Sequence, residues 1–228
     1  MTIDGKKSNS EALSTGTNGR SGRAEGKRES NRKKRHAALL KAALERFLRQ
    51  GVETTTIAEI TTDAKTAKGS FYGYFQDKSD VVRTLFLPLA QLMDEVFAEA
   101  DRNLETAESG DQLSRAYNVL GMRLVPAILV NRDLVRLYLQ ESRGAPSASR
   151  QPIEDLRQRI DQAALHLTKA AHKHGIWREF PAQVSAFAVV GAVEKSLYSL
   201  LNSDQVVDPV LWTKSLVSLI LDGLSPRD

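Results

Sequence analysis

Between Thr55 and Lys78 the chain reads TTIAEITTDAKTAKGSFYGYFQDK, which crowds hydroxyls, ammonium groups and aromatic rings into one short stretch. Side chains of these types donate hydrogen bonds and neutralise phosphate, but without an activating base they neither attack nor abstract. The stretch contains no histidine. The four histidines, His36, His166, His172 and His174, lie elsewhere, and the chain has neither a Gly-rich phosphate loop nor a nucleophile motif. His172 and His174 would point about 200° apart on an ideal helix, which is poor geometry for one metal ion. No metal site and no cofactor is expected. The chemistry is recognition of a polyanion rather than bond making, so the chain is not read as an enzyme.

The distribution of charge agrees with that chemistry. The formal net charge is only +4, yet residues 1–50 carry thirteen Lys and Arg against five Asp and Glu, a local balance of +8 that leaves −4 for the rest. A basic front on a mildly acidic body implies a polyanion held at one end. The absence of cysteine excludes a disulfide framework, a thiolate metal site and a cysteine nucleophile, and suits a reducing compartment. No apolar run reaches the roughly 18 residues of a membrane span, and the N-terminus is too polar to contain the apolar core of a secretory signal. A soluble cytoplasmic protein with no membrane partner is expected. At 228 residues and 41% hydrophobic content, the chain can build a substantial core.

The elements that must position these residues are read from periodicity and punctuation. Residues 1–31 are Gly, Ser, Thr, Asn, Lys and Arg with few large aliphatics, which predicts a disordered basic arm. Beyond it, apolar spacing of 3.6 recurs and alternating β-branched runs are absent, so the fold class is all-α with about nine helices. A first helix runs from Arg32 to Gln50, stopped by Gly51. Thr56 and Glu59 form a capping box that opens a second, ending near Ala64. Lys65 to Ala67 connect it to a third, Lys68 to Phe75, and Asp77 caps the next. The remaining helices are Lys78 to Leu104, Asp111 to Val130, Arg132 to Ser142, Pro152 to His174, Ala182 to Leu201 and Pro209 to Leu221. Pro88 and Pro126 are expected to bend or break their helices. No internal repeat is evident.

Two short helices joined by a tight connection, behind a basic helix and ahead of an aromatic cluster, have the spacing of a helix-turn-helix. The residues Thr55-Thr56-Ile57-Ala58-Glu59-Ile60, Ala64, Lys68-Gly69-Ser70-Phe71-Tyr72-Gly73-Tyr74-Phe75 and Asp77-Lys78 resemble the signature of the TetR family of transcriptional regulators. The match is close from Arg32 to about Leu87 and extends to helix order and length beyond. The resemblance implies an N-terminal three-helix DNA-binding domain, residues 32–80, and a larger helical domain, residues 81–224, for effector binding and dimerisation. It implies a repressor released from its operator by a small molecule.

Physical chemistry assigns roles within the motif. Lys68 and the adjoining free amides offer charge to phosphate, and Gly69 permits close approach to a partner helix or to the DNA backbone. Ser70 and Tyr72 face the major groove, while Phe71 and Phe75, four apart, fall on the buried side. Tyr74 and Lys78 are similar to family positions that grip phosphate. Arg32, Lys33, Lys34 and Arg35 form a phosphate-contacting cluster at the root of the arm. Thr55, Thr56 and Thr66 complete the candidate DNA-binding set. Lys65 stands where relatives carry glycine, which predicts a strained turn, and Ala67 where they carry a polar cap, leaving Thr66 as the alternative cap. The competing interpretation makes the four aromatics an ordinary core and the lysines a solvated face, in a helical interaction module with a degenerate head.

Phe86, Met93, Phe97, Tyr117, Met122, Tyr138 and Trp177 are the candidates for an effector pocket, an aromatic and methionine set with two hydroxyls. Ala186, Val190, Val193, Leu197, Leu216 and Ile220, on the last two helices, are the candidates for a homodimer interface. The expected partners are a palindromic double-stranded operator, a second copy of the chain and an unidentified small-molecule effector.

Overall fold

The computed structural model describes residues 18–173, 181–202 and 208–224. Among them the elements are α1 (Asn18–Gln50), α2 (Ile57–Asp63), α3 (Lys68–Phe71), α4 (Lys78–Glu105), α5 (Gly110–Val130), α6 (Arg132–Glu141), a 3-10 turn (Ala148–Arg150), α7 (Gln151–Lys173), α8 (Ala182–Asn202) and α9 (Pro209–Leu224). The all-α expectation therefore holds for the described residues, which include no strand.

The head is built around short-range signals. Gly51 ends α1 with a φ of +87°, the left-handed conformation that glycine adopts without a Cβ penalty. Thr56 opens α2 through a capping box: its hydroxyl accepts from the Glu59 amide at 3.2 Å, and the Glu59 carboxylate accepts from the Thr56 amide at 2.8 Å. At the other end of α2, Lys65 donates its amide to Thr62 and Thr66 donates to Thr61, a Schellman closure that forces Lys65 to a φ of +52°. The predicted strained turn is present.

Four expectations are corrected. First, α1 begins at Asn18, well inside the segment read as an arm; residues 26–35 are exposed, and Glu and Lys spacing such as Glu29 to Lys33, 4.0 Å apart, supports the helix there. Second, α3 closes at Phe71 rather than Phe75. Beyond it the Gly73 amide bonds Ser70 and the Tyr74 amide bonds Phe71, tight i to i−3 turns at a glycine that weakens helical propagation. Third, neither Pro88 nor Pro126 breaks its helix, since α4 and α5 continue through them. Fourth, α8 is long and apolar enough to cross a membrane by length and composition, although Glu194 and Lys195 interrupt it. In this fold it packs on α7 and α6.

In the body, α4 packs against α5 and α7, α7 against α8, and α9 against α5. Core residues run continuously from Leu39, Phe47, Ile60, Phe71 and Phe75 in the head to Val135, Leu137, Ile153 and Leu201 in the body. A second cluster, including Leu104, Leu113 and Leu167, closes the far end. Head and body thus share one apolar core, and a movement of α6 is felt by both.

Candidate functional site

The helix-turn-helix is held from beneath. The Phe71 ring is fully buried and lies 5.5 Å from the buried Phe75 ring, whereas the next residue, Tyr72, is 56% exposed. Lys68 is exposed beside it and Ser70 is half-buried. The guanidinium of Arg46 on α1 grips Asp63 through two nitrogens at 2.5 and 2.8 Å and reaches Glu59 at 3.4 Å, which clamps α2 onto α1. Hydrogen bonding from Arg46 holds the Asp63 carboxyl below its ordinary range, and the Thr56 amide does the same for Glu59.

Sequence reasoning missed His36. Its ring stacks on Phe75 at 5.0 Å and lies 6.1 Å from Tyr74. Because His36 directly follows Arg32 to Arg35, all exposed, this contact seats the basic turn of α1 beside the end of the recognition segment. Nothing in a lone histidine among basic residues announces that stacking.

Other candidates are placed differently from the expectation. Thr55 is 1% exposed and its hydroxyl donates to the Gly51 carbonyl at 2.7 Å, so it is turned into the fold. Thr56 is exposed but its hydroxyl serves the capping box. Thr66 is half-buried and does not cap, since Ala67 takes that place and forms no side-chain cap bond. Tyr74 is half-buried against the core. Lys78 donates to the Glu53 and Thr55 carbonyls at 2.9 and 3.0 Å, which leaves one of its three N–H groups. Burial pulls its ammonium below the ordinary lysine range. A Cβ at Gly69 would meet nothing in the chain, so closeness to a partner helix does not explain that glycine.

A polar junction joins head to body. Glu141, at the end of α6, is buried; it accepts from the Arg150 Nε at 2.6 Å and from the Val52 amide at 3.2 Å. Its neighbour Gln140 donates to the Phe47 carbonyl at 3.1 Å, and Ser147 donates to Glu53. A Cβ on Gly51 would come within 3.2 Å of the Glu141 carboxylate, a second reason for glycine there. The sequence did not single out this junction, because its partners are some ninety residues apart in the chain.

The body encloses a cavity of about 290 Å³ between α4, α5, α6, α7, α8 and α9. Met93, Phe97, Tyr117 and Tyr138 line it, as expected of an effector pocket. Phe86 is instead packed in the core, Met122 is exposed on the surface, and Trp177 lies outside the described residues. The candidate interface residues Val190, Val193, Leu197 and Leu216 also line the cavity, and Ala186 is fully buried within one chain. The side chain of Ile220 lies outside the described residues. The apolar surface that α8 and α9 actually present includes Val184, Phe187 and Tyr198 and then Val210, Leu211 and Leu219. On a helix apolar around most of its circumference, periodicity could not say which stripe faces inward. Among the described residues Glu194 is the one carboxylate in the cavity wall, and it was missed although it is the only acid in α8.

A short helix pair with one buried and one presented face, next to an exposed basic turn, defines a helix-turn-helix protein with a hollow helical body. Residues 39–85 match the model of bacterial regulatory proteins of the tetR family. The chain is 24% identical over 201 residues to the uncharacterized HTH-type transcriptional regulator YuxN of Bacillus subtilis, covering 86% of this chain and 66% of that protein. It is 39% identical over 71 residues to the HTH-type transcriptional regulator HbdR of an Aromatoleum species, covering 31% of this chain and 30% of that one. The matches thus span less than two thirds of either relative. Among solved structures, the regulator FadR from Bacillus subtilis in complex with stearoyl-CoA superposes with a TM-score of 0.62 at 17% identity, covering 82% of this chain and 98% of that one. AibR in complex with isovaleryl coenzyme A and operator DNA gives 0.60 at 18% identity, covering 81% and 97%. These structural likenesses establish the fold. The matched segment, residues 39–85, coincides with the helix-turn-helix described above, and both relatives are HTH-type transcriptional regulators.

Proposed function

We propose that this chain is a sequence-specific DNA-binding transcriptional regulator, a cytoplasmic repressor released from a palindromic operator by a small-molecule effector. The observation that carries this reading is the division of the recognition segment into two faces. Phe71 is sealed in the core while Tyr72 and Lys68, with Ser70 between them, are presented next to the exposed Arg32 to Arg35 turn. Tyr72 and Ser70 read base edges; Lys68, Arg32, Lys33 and Arg35 hold phosphate, and Gly69 leaves room for the DNA backbone. The division of labour is 32–80 for DNA and 81–224 for effector and partner, with the preceding residues as a basic extension.

A homodimer supplies the second half-site. The exposed stripe of Val184, Phe187 and Tyr198 on α8, continued by Leu211 and Leu219 on α9, supports an isologous interface. The effector occupies the cavity. Tyr138 faces it, and Glu141, one turn further along α6, holds the loop after α1. A ligand that favours a different seat for α6 therefore shifts the population toward a spacing of recognition helices wrong for successive major grooves. Complexes of the neighbours FadR and AibR with acyl-CoA, and of AibR with operator DNA, support a ligand-responsive regulator.

Selection from random duplexes tests the reading: the purified protein enriches a near-palindromic site, and failure to enrich any site overturns it. On the selected duplex, Tyr72→Ala reduces discrimination between sites, while Arg35→Ala weakens all duplexes alike and lowers the salt slope by about one. Equal effects from both variants contradict the assigned roles.

A further inference from the structure

The cavity wall is mostly aliphatic and aromatic, with the Tyr117 hydroxyl, the Trp212 indole N–H, Thr168, Ser185 and Ser196 set along it, and its charged group lies at one end, where α6 meets α8. There the Tyr138 hydroxyl donates to Glu194 Oε1 at 2.8 Å, and Arg143 donates to Glu194 Oε2 at 2.9 Å. Arg143 approaches from solvent, with its side chain 74% exposed against 15% for Glu194, so the carboxylate and not the guanidinium is the charge nearest the hollow. The tyrosine proton is committed to that carboxylate, and burial together with Glu194 pushes the phenol above its ordinary range, which keeps the proton in place.

What remains at this end is acceptor capacity. A carboxylate has about four lone-pair sites, of which two are used here, and a phenol oxygen that has donated its proton can still accept. Thr168, further along the wall, donates its own proton to the Ala164 carbonyl at 2.7 Å and is likewise left as an acceptor. Ser185 and Ser196 can turn either way and do not set the sign. Behind Tyr138, Asp161 and Glu154 pair with the single guanidinium of Arg157, each at 2.6 Å. Together with Glu194 and Arg143, this corner holds three carboxylates against two guanidiniums.

From this geometry we infer that the effector is a lipophilic molecule with a hydrogen-bond-donating head, an ammonium or a hydroxyl, seated on Glu194 and Tyr138, and that carboxylate heads are rejected. The inference rests on the cavity being the effector site and names what that site selects. Scaled from a 150 Å³ cavity that holds benzene, the volume suits a body of roughly a dozen non-hydrogen atoms. An anionic head would bring a fourth negative charge beside Glu194, where Tyr138 and Arg143 already donate to that carboxylate.

Four probes of one chain length test it on the full-length protein: n-decylamine, 1-decanol, decanoate and decanoyl-CoA, each titrated by calorimetry and by the shift in thermal midpoint. Decylamine and decanol bind, and decanoate binds at least about tenfold more weakly than the amine, the ratio expected of one charge-assisted hydrogen bond. Glu194→Gln weakens decylamine by about tenfold, changes decanol by no more than about threefold, and narrows the gap to decanoate. Ala164→Phe, which fills the wall, abolishes binding of every probe. If decylamine binds while decanol does not, the head is an ammonium; if decanol matches the amine, a hydroxyl suffices, and both results support the inference. Decanoate or decanoyl-CoA binding as tightly as the amine overturns the head-group assignment and leaves the effector reading standing. Silence from all four probes overturns both, while operator selection would still report on DNA binding.

Discussion

The recognition segment and α8 both set apolar side chains beside exposed ones, yet they use them in opposite ways. Around α3 the two phenylalanines are sealed, Phe71 and Phe75 packing with α1, a capping box satisfies backbone amides at the start of α2, and an ion pair ties α2 to α1. Along α8 the inner stripe faces a hollow and the outer stripe faces solvent. The first arrangement is complete within one chain and presents fixed polar groups. A close-packed presenting segment beside a body with an internal cavity and an exposed apolar stripe separates the two roles proposed above, display of polar groups and response to a ligand.

The contrast can be broken most forcefully at Phe71. Phe71→Ala removes a fully buried ring and is expected to cost about 3–5 kcal/mol, read as a lowered midpoint in denaturant. Because head and body share a core, one cooperative transition is expected, and an intact body with a separately melted head would break the picture. Phe187→Glu on α8 tests the other side. The ring is 52% exposed in one chain, so a monomer loses little, but a dimer resting on that stripe loses about 2 kcal/mol or more and dissociates at micromolar concentration in native mass spectrometry. A dimer that survives the charge moves the interface elsewhere.

A smaller effect of opposite sign is expected at the turn between α2 and α3. Lys65 holds a φ of +52° at a position where glycine is preferred, so Lys65→Gly should stabilise the fold by about 1 kcal/mol in equilibrium unfolding. Unchanged or reduced stability would mean that the lysine side chain contributes more than its strain removes. The smallest effect concerns pH. The Asp63 and Glu59 carboxyls are held below their ordinary values in the folded chain, so their contribution is complete above the unfolded pKa values near 4 and is lost as pH falls through the folded ones. Asp63→Asn should flatten the acid limb of the stability curve without changing its neutral plateau beyond the loss of the Arg46 clamp.

Much of the head was legible because its determinants are local. The Thr56 and Glu59 capping box, the Gly51 stop and the odd lysine at position 65 each act within a few residues, and the helices start and stop where those residues say. The length of α3 was misread because a motif spans residues while hydrogen bonds end a helix, and the bonds after Phe71 tighten around Gly73. The candidate cavity was half legible. Met93, Phe97, Tyr117 and Tyr138 were found by type, whereas Phe86 and Met122 share that type and are packed in the core or turned to solvent.

From the sequence alone came the all-α class, the resemblance to the tetR family, the helix order and the aromatic anchors, because caps, periodicity and a spaced motif are properties of neighbouring residues. Tertiary structure alone decided which stripe of α8 faces the hollow and which faces out. It also turned Thr55 and Lys78 inward, stacked His36 on Phe75 and brought Glu194 against Tyr138. Those outcomes depend on contacts between residues far apart in the chain, and a helix apolar on most sides carries no mark of which neighbour will cover it.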